Sequence, residues 1–201
     1  MKGIDISHFN GVINWDLVKT NADKISYAYF KVTQGTGFID PKVSYNATNA
    51  KRVGLQIGYY HFASINNADD VADAKAEAAF FLNAIKTLPV ADMPVVLDIE
   101  QNNLKLPPAK VLEFIKIFAS IVQDAGYGFA LYSGTPFLNS NLPANHGLIY
   151  DLWIAAYTGA STPVLPNGWT SYWKWQYTDK GIVTGITGGV DMDITKINYG
   201  Q

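Results

Sequence analysis

The segment Val95-Val96-Leu97-Asp98-Ile99-Glu100 sets two carboxylates two residues apart at the end of an apolar run. Alternate side chains of an extended strand share a face, so Val96, Asp98 and Glu100 point one way and Val95, Leu97 and Ile99 the other. Like charges this close resist ionising together, which raises one pKa and leaves a proton donor beside an anion. Taken alone, a D-x-E strand end fits two solvated acids equally well. The wider pattern favours chemistry. Asp5 is in phase with Ser7 and opposed by Ile4 and Ile6, while Asp191 and Asp193 alternate against Val190, Met192 and Ile194. Lys31, opposed by Phe30 and Val32, ends a further β-rich run. Packing does not explain a ring of acids on the polar phase of several strands. Acid pairs flanking an aromatic-lined cleft are the machinery of glycoside hydrolysis: one carboxyl donates a proton and the other stabilises or attacks an oxocarbenium-like centre. Tyr59, Tyr60, Tyr132, Trp153, Tyr157, Trp173 and Trp175 lie on or beside predicted strands and are candidate sugar platforms. For each of them a place in the core is the competing expectation.

Such residues need a scaffold that gathers several strand ends. Strands are predicted over residues 3–7, 26–33, 55–62, 93–100 and 128–133, alternating with helical patterns. Asn14 reads as an N-cap, with Ile13 and Val18 placed for a hydrophobic staple. Asp40-Pro41 reads as a cap followed by proline at the first helical position, and Gly54 as the stop of that helix. Its apolar stripe is Val43, Ala47 and Ala50. Ala78, Phe81, Leu82 and Ile85 mark the next helix. Pro107-Pro108 open another, with Val111, Ile115, Phe118 and Val122 inward and Gly126 closing it. Beyond this point the helical signal fades, and residues 151–157, 172–177 and 190–197 read as strands between Gly/Pro/Ser/Thr-rich loops. The expected fold is α/β, a modified TIM-like barrel of about five βα units followed by three strands lacking full helices. An open doubly wound sheet is the structural competitor.

Composition narrows the partners. The chain has 201 residues, a formal net charge of −2, 27 aromatic residues (5 Trp, 12 Tyr, 10 Phe) and no cysteine. One domain spanning residues 1–201 is expected, with room for a full core. Disulfides, thiolate zinc sites and cysteine nucleophiles are excluded. With no basic run, neither nucleic acid nor an anionic membrane surface is an expected partner. Neither G-x-G-x-x-G nor a P-loop follows a strand, which argues against nucleotide binding. His8, His61 and His146 lack an H-x-x-x-H pair and read as structural, so no metal or cofactor is expected. No G-x-S-x-G elbow occurs. Asn46-Ala47-Thr48 matches the glycosylation pattern but falls within a predicted helix. The start has no long apolar h-region, and no apolar run approaches the ~18 residues of a membrane span.

An ordered set of segments covers nearly the whole chain: Gly3-Ile4-Asp5-Ile6-Ser7, Lys31-Val32-Thr33-Gln34-Gly35, Gly58-Tyr59-Tyr60-His61-Phe62, Asp98-Ile99-Glu100, Trp153-Ile154-Ala155-Ala156-Tyr157, Trp175-Gln176-Tyr177 and Val190-Asp191-Met192-Asp193. In this order they resemble the glycoside hydrolase family 25 lysozymes, the N-acetylmuramidases of phage endolysins and of some bacteria and fungi. The resemblance implies a barrel of five βα units plus three strands. It implies hydrolysis of the β-1,4 bond between N-acetylmuramic acid and N-acetylglucosamine, with peptidoglycan glycan strands as the partner. Position by position it makes Glu100 the general acid, Asp98 its carboxylate partner, and Asp5 and Asp191 the other two acids of the cleft, with Asp193 ranked below Asp191. Lys31, Tyr59, Tyr132 and Trp153 are the expected substrate-binding residues. The chain is expected to act as a monomer on the bacterial cell wall. With no signal peptide in view, it would be released by a holin, by lysis or by another route. Phage lysins of this family often carry a separate wall-binding module, so a catalytic domain cut from a longer protein is one expectation.

Two acids leaving one strand on one face lie side by side, a poor arrangement for attack from opposite sides of a sugar. Participation by the substrate's own 2-acetamido group, oriented by Asp98, is therefore the expected mechanism. The rival readings are a chitinase-like barrel glycosidase and a barrel lectin that binds glycan without cutting it.

Overall fold

A computed structural model describes residues 1–195. In chain order the strands are β1 (Lys2–Ile6), β2 (Ile25–Gln34), the short β3 (Phe38–Ile39), β4 (Gln56–Phe62), β5 (Val95–Asp98), β6 (Phe129–Gly134), β7 (Asp151–Ala155), β8 (Lys174–Gly181) and β9 (Val190–Thr195). The helices are α1 (Trp15–Lys19), α2 (Val43–Arg52), α3 (Asp70–Ile85), α4 (Pro108–Asp124) and α5 (Thr135–Asn141). Their sheet order is β1-β9-β8-β7-β6-β5-β4-β2-β3, and an additional β1–β2 pairing closes eight of the strands into a barrel. That pairing excludes the open doubly wound sheet. Five βα units followed by three strands is the expected architecture, with one change of direction. Seven barrel strands are mutually parallel, but β9 runs antiparallel to both β8 and β1. β8 ends at Gly181 and β9 starts at Val190, with no helix between them. So short a link cannot make a parallel crossover, which needs about a dozen residues or more.

Local differences from the sequence expectation have local causes. Asn14 caps α1 by accepting from the Leu17 N–H at 3.2 Å, with Ile13 and Val18 both buried. Asp40 does not cap α2, which starts at Val43 without a side-chain cap. Its carboxylate is used elsewhere, accepting from the His8 N–H at 2.7 Å, the His8 ring at 2.8 Å and the Lys42 N–H at 2.9 Å. α5 was not legible because seven residues with one buried side chain, Leu138, show no period. The expected extension of the last strand to Ile197, and the chain's end at Gln201, lie outside the described residues.

Two apolar layers result. Between barrel and helices lie Ile4, Ile6, Val95, Leu97, Ile99, Phe114 and Phe118, among others. Inside the barrel lie Tyr27, Tyr29, Val96, Ala130, Tyr132, Trp153 and Trp173. Aromatic rings thus fill much of the bore, and two glycines make room for them. A Cβ on Gly3 would sit 2.0 Å from the Tyr27 ring, and one on Gly58 would sit 2.3 Å from the Tyr29 ring. The helical layer also contains a buried polar pin. His61 contacts Thr33 Oγ1 and Glu77 Oε2, each at 2.7 Å, and Glu77 accepts the Ser64 N–H. Burial lowers the His61 pKa against the pull of Glu77. The three residues join β2, β4 and α3.

Candidate active site

In a parallel barrel the strands' carboxyl ends converge on one mouth. Asp98 is the last residue of β5, and Glu100 lies just past it. The turn after β5 is fixed by the Ala63 N–H on the Asp98 carbonyl, the Ile99 N–H on the Tyr132 carbonyl and the Ser133 hydroxyl on the Ile99 carbonyl at 2.6 Å. Asp5 reaches the same mouth from β1 and Lys31 from β2. Because β9 runs the other way, its first residues lie at the mouth: Asp191 there, and Asp193 one pleat deeper, fully buried.

One cavity is lined by Asp5, Lys31, Asp98, Glu100, Tyr132, Trp153 and Asp191, together with Ser7, Phe9, Tyr60, Phe62 and Gln176. The structure therefore brings together seven of the eight residues expected from sequence. Tyr59 is the exception. It is 1% exposed, its ring packs against Phe30, and its hydroxyl donates to the Pro89 carbonyl at 2.6 Å. The cause is strand phase: Gly58, Tyr60 and Phe62 face the bore, so Tyr59 faces the helices. Counting by two along β4 would have selected Tyr60 and Phe62. Gln176 is found the same way on β8. Phe9 has no such signal, since it sits in a 3-10 turn and not on a strand. Of the other candidate platforms, Trp175 faces outward and donates to the Ala156 carbonyl at 2.9 Å, Trp173 lies deep in the bore, and Tyr157 stands half exposed at the rim.

Hydrogen bonds tie the acids to the wall. Gln176 donates to Asp5 Oδ2 at 2.7 Å and accepts from the Tyr132 hydroxyl at 2.7 Å and from the Tyr157 hydroxyl. Trp153 Nε1 donates to Asp193 Oδ1 at 2.8 Å. Lys31 Nζ donates to Gln34 Oε1 at 2.7 Å and lies 4.5 Å from the centroid of the Phe62 ring.

Burial dominates the electrostatics. Asp98 is pushed well above the carboxylate range by desolvation and then by the Glu100 charge, with Lys31 opposing. Glu100, at the mouth, is also raised by desolvation, against a hydrogen bond from Asp98 and the Lys31 charge. Asp5 is raised by burial and by Asp193 and Asp191, with its Gln176 bond opposing. Burial and Asp179 raise Asp191 to about 6, although a hydrogen bond with Asp5 opposes this. Burial raises Asp193 to about 7 against Lys174 and Trp153. Lys31 is lowered by burial, with Asp98, Asp40 and Glu100 opposing. The cleft thus keeps its protons to a higher pH than carboxylates in water do. Among the described residues no three His, Asp or Glu side chains are grouped to hold a metal ion.

An acid-lined cleft with aromatic walls, open at the carboxyl end of a closed barrel, has the geometry of a glycosidase site. Residues 4–186 match the sequence profile of glycosyl hydrolases family 25, and the chain belongs to that family. It is 32% identical over 202 residues to lysozyme M1 of Streptomyces globisporus, covering 95% of this chain and 66% of that protein. It is also 32% identical over 195 residues to the autolytic lysozyme of Clostridium acetobutylicum, covering 96% of this chain and 55% of that one. The chain thus spans between about half and two thirds of the length of these relatives. Among solved structures, the bacterial lysozyme of Streptomyces coelicolor superposes with a TM-score of 0.87 at 30% identity, covering 98% of this chain and 92% of that one.

Proposed function

We propose that this chain is a muramidase that hydrolyses the β-1,4 bond between N-acetylmuramic acid and N-acetylglucosamine in the peptidoglycan of the bacterial cell wall. Glu100 is the general acid and Asp98 orients the substrate's 2-acetamido group. Asp5 and Asp191 supply negative charge beneath the developing oxocarbenium-like centre. Lys31, Tyr60, Tyr132 and Trp153 line the path of the glycan.

The observation that carries the mechanism is that Asp98 and Glu100, two residues apart at the end of β5, line one cavity with Asp5 and Asp191. Carboxyls that leave one strand end on the same face lie side by side. A nucleophile and an acid acting from opposite sides of a sugar need about 5–5.5 Å. Asp98, beside Glu100 and not across from it, is poorly placed to attack from the opposite side of the sugar and can instead accept an acetamide N–H. Desolvation and the Glu100 charge favour the protonated form of the deeper Asp98. An N–H donated to Asp98 favours its anion, and the proton it gives up is then held by Glu100. Glu100 then protonates the glycosidic oxygen as the acetamide oxygen closes on C1 and the C1–O bond breaks. Water, losing a proton to Glu100, reopens the ring with retained configuration.

Two product measurements test this. Borohydride reduction of a wall digest should label new muramic acid ends, and labelled glucosamine ends would refute the bond assignment. NMR of the first product should show the β anomer, and the α anomer would refute acetamido participation.

A further inference from the structure

Beneath the acids, deep in the bore, lies a lysine that the mechanism above does not use. Lys174 on β8 is fully buried. Its Nζ lies 3.8 Å from the centroid of the Tyr29 ring, 4.0 Å from Tyr27, 4.5 Å from Trp173 and 4.7 Å from Trp153. The cage is built from strand geometry: Tyr27 and Tyr29 lie over the bare backbones of Gly3 and Gly58, and the Tyr29 hydroxyl is tied to the Pro94 carbonyl at 2.8 Å. Among the described residues Lys174 Nζ has no hydrogen-bond partner and no ion pair. A buried ammonium is costly unless it is compensated. Ring faces compensate in part, and the rest falls to an anion.

The titratable groups facing Lys174 are few. β9 contributes Asp193 and β1 contributes Asp5, while Tyr27 and Tyr29 of β2 present their ring faces. Asp193 is the first of these. Its Oδ1 accepts from Trp153, a member of the cage, while its buried Oδ2 has no hydrogen-bond partner. It pairs across the sheet with Gly3 on β1 and Gln176 on β8, and Gln176 holds Asp5. A column therefore runs from the cage through Asp193 to Asp5 and then to Asp191 at the mouth.

We propose that Lys174 is a positioning residue whose caged ammonium, acting through Asp193, keeps the Asp5–Asp191 pair able to ionise beneath the bound sugar. This rests on the muramidase reading, because ionised acids there are needed only if a positive centre develops above them. Burial lowers the Lys174 pKa to about 7, close to that of Asp193. The charge of each group therefore bears on the ionisation of the other.

Lys174→Met keeps the length of the stem and removes the charge. In protein carrying 13C-labelled Asp carboxyls, the Asp193 and Asp5 midpoints should move up by about one pH unit or more in this variant. The acid limb of kcat/KM should move the same way. In an Asp193→Asn background the Lys174→Met shift of Asp5 should fall below half. A merely structural lysine would lower Tm and leave the midpoints in place, and unmoved midpoints overturn the proposal. Should Lys174→Met fail to fold, the 15Nζ titration of the wild-type protein decides. A Lys174 midpoint near 7 that moves in Asp193→Asn supports the coupling, and an ordinary lysine midpoint overturns it. A protein that cuts no wall at all would refute the muramidase reading, while the carboxyl titrations would still judge Lys174.

Discussion

Asp191→Asn should make this protein more stable at neutral pH while making it a poorer enzyme. Asp191 is a partly buried carboxyl whose pKa stands at about 6 in the folded protein against 3.8 for the free group. The folded state therefore binds this proton more tightly than the unfolded state does. Stability attributable to the group is intact below pH 4 and is lost as pH rises from about 4 to about 6. Two pKa units correspond to about 3 kcal/mol, and solvent screening at a partly exposed site halves this to about 1.5 kcal/mol. The asparagine amide keeps the shape and can still hydrogen-bond Asp5, so little is lost in exchange. For a chain of this size each kcal/mol moves Tm by about 2–4 °C, so Asp191→Asn should melt about 3–6 °C higher at pH 7.5. Thermal melts of both proteins from pH 3.5 to 8 provide the assay. The gap should be absent below pH 4, open through pH 5 and be complete above pH 6.5. A variant that melts lower at pH 7.5, or a gap that persists at pH 3.5, would refute the claim that the cleft holds its acids at a cost to stability.

Three further outcomes follow from the geometry. Glu100→Gln should keep its Tm within a few degrees and lose about a thousandfold in kcat, the usual scale for a general acid; retained wall lysis would overturn the assignment. Tyr59→Phe should leave wall lysis unchanged and lower stability by about 1 kcal/mol through the lost bond to Pro89, whereas Tyr60→Phe should lower kcat/KM by severalfold with little change in Tm, and the reverse pattern would mean that the β4 phase is wrong. Gly58→Ala should cost about 2 kcal/mol, or about 6 °C in Tm, because its Cβ falls 2.3 Å from the Tyr29 ring; an unaltered melt would show that the ring does not fill that space.

Much of this protein is set by period-two and period-3.6 patterns, which sequence carries openly. Val95, Leu97 and Ile99 alternating with Asp98 and Glu100 fixed which face of β5 holds the acids. The same count placed Asp5, Asp191 and Asp193 on the polar phase of their strands, and the apolar stripe of Val111, Ile115, Phe118 and Val122 marked α4. The fold class followed from strands alternating with such helices until the helices stopped. What the sequence could not carry is which strand end lies beside which. The closure of β1 on β2, and the reversal of β9 that puts Asp191 above Asp193, are properties of chain connectivity in three dimensions. Asp40 looked like a cap because capping is local, yet its carboxylate was taken by His8, 32 residues away. The pKa of a carboxyl depends on burial and on neighbouring charges, and both are tertiary. Tertiary too is the reach of Lys174 into four rings drawn from β2, β7 and the residue before β8, which no spacing along the chain foretells. The residue types and their phases belong to the sequence; the proton each acid holds was decided only when the barrel closed around it.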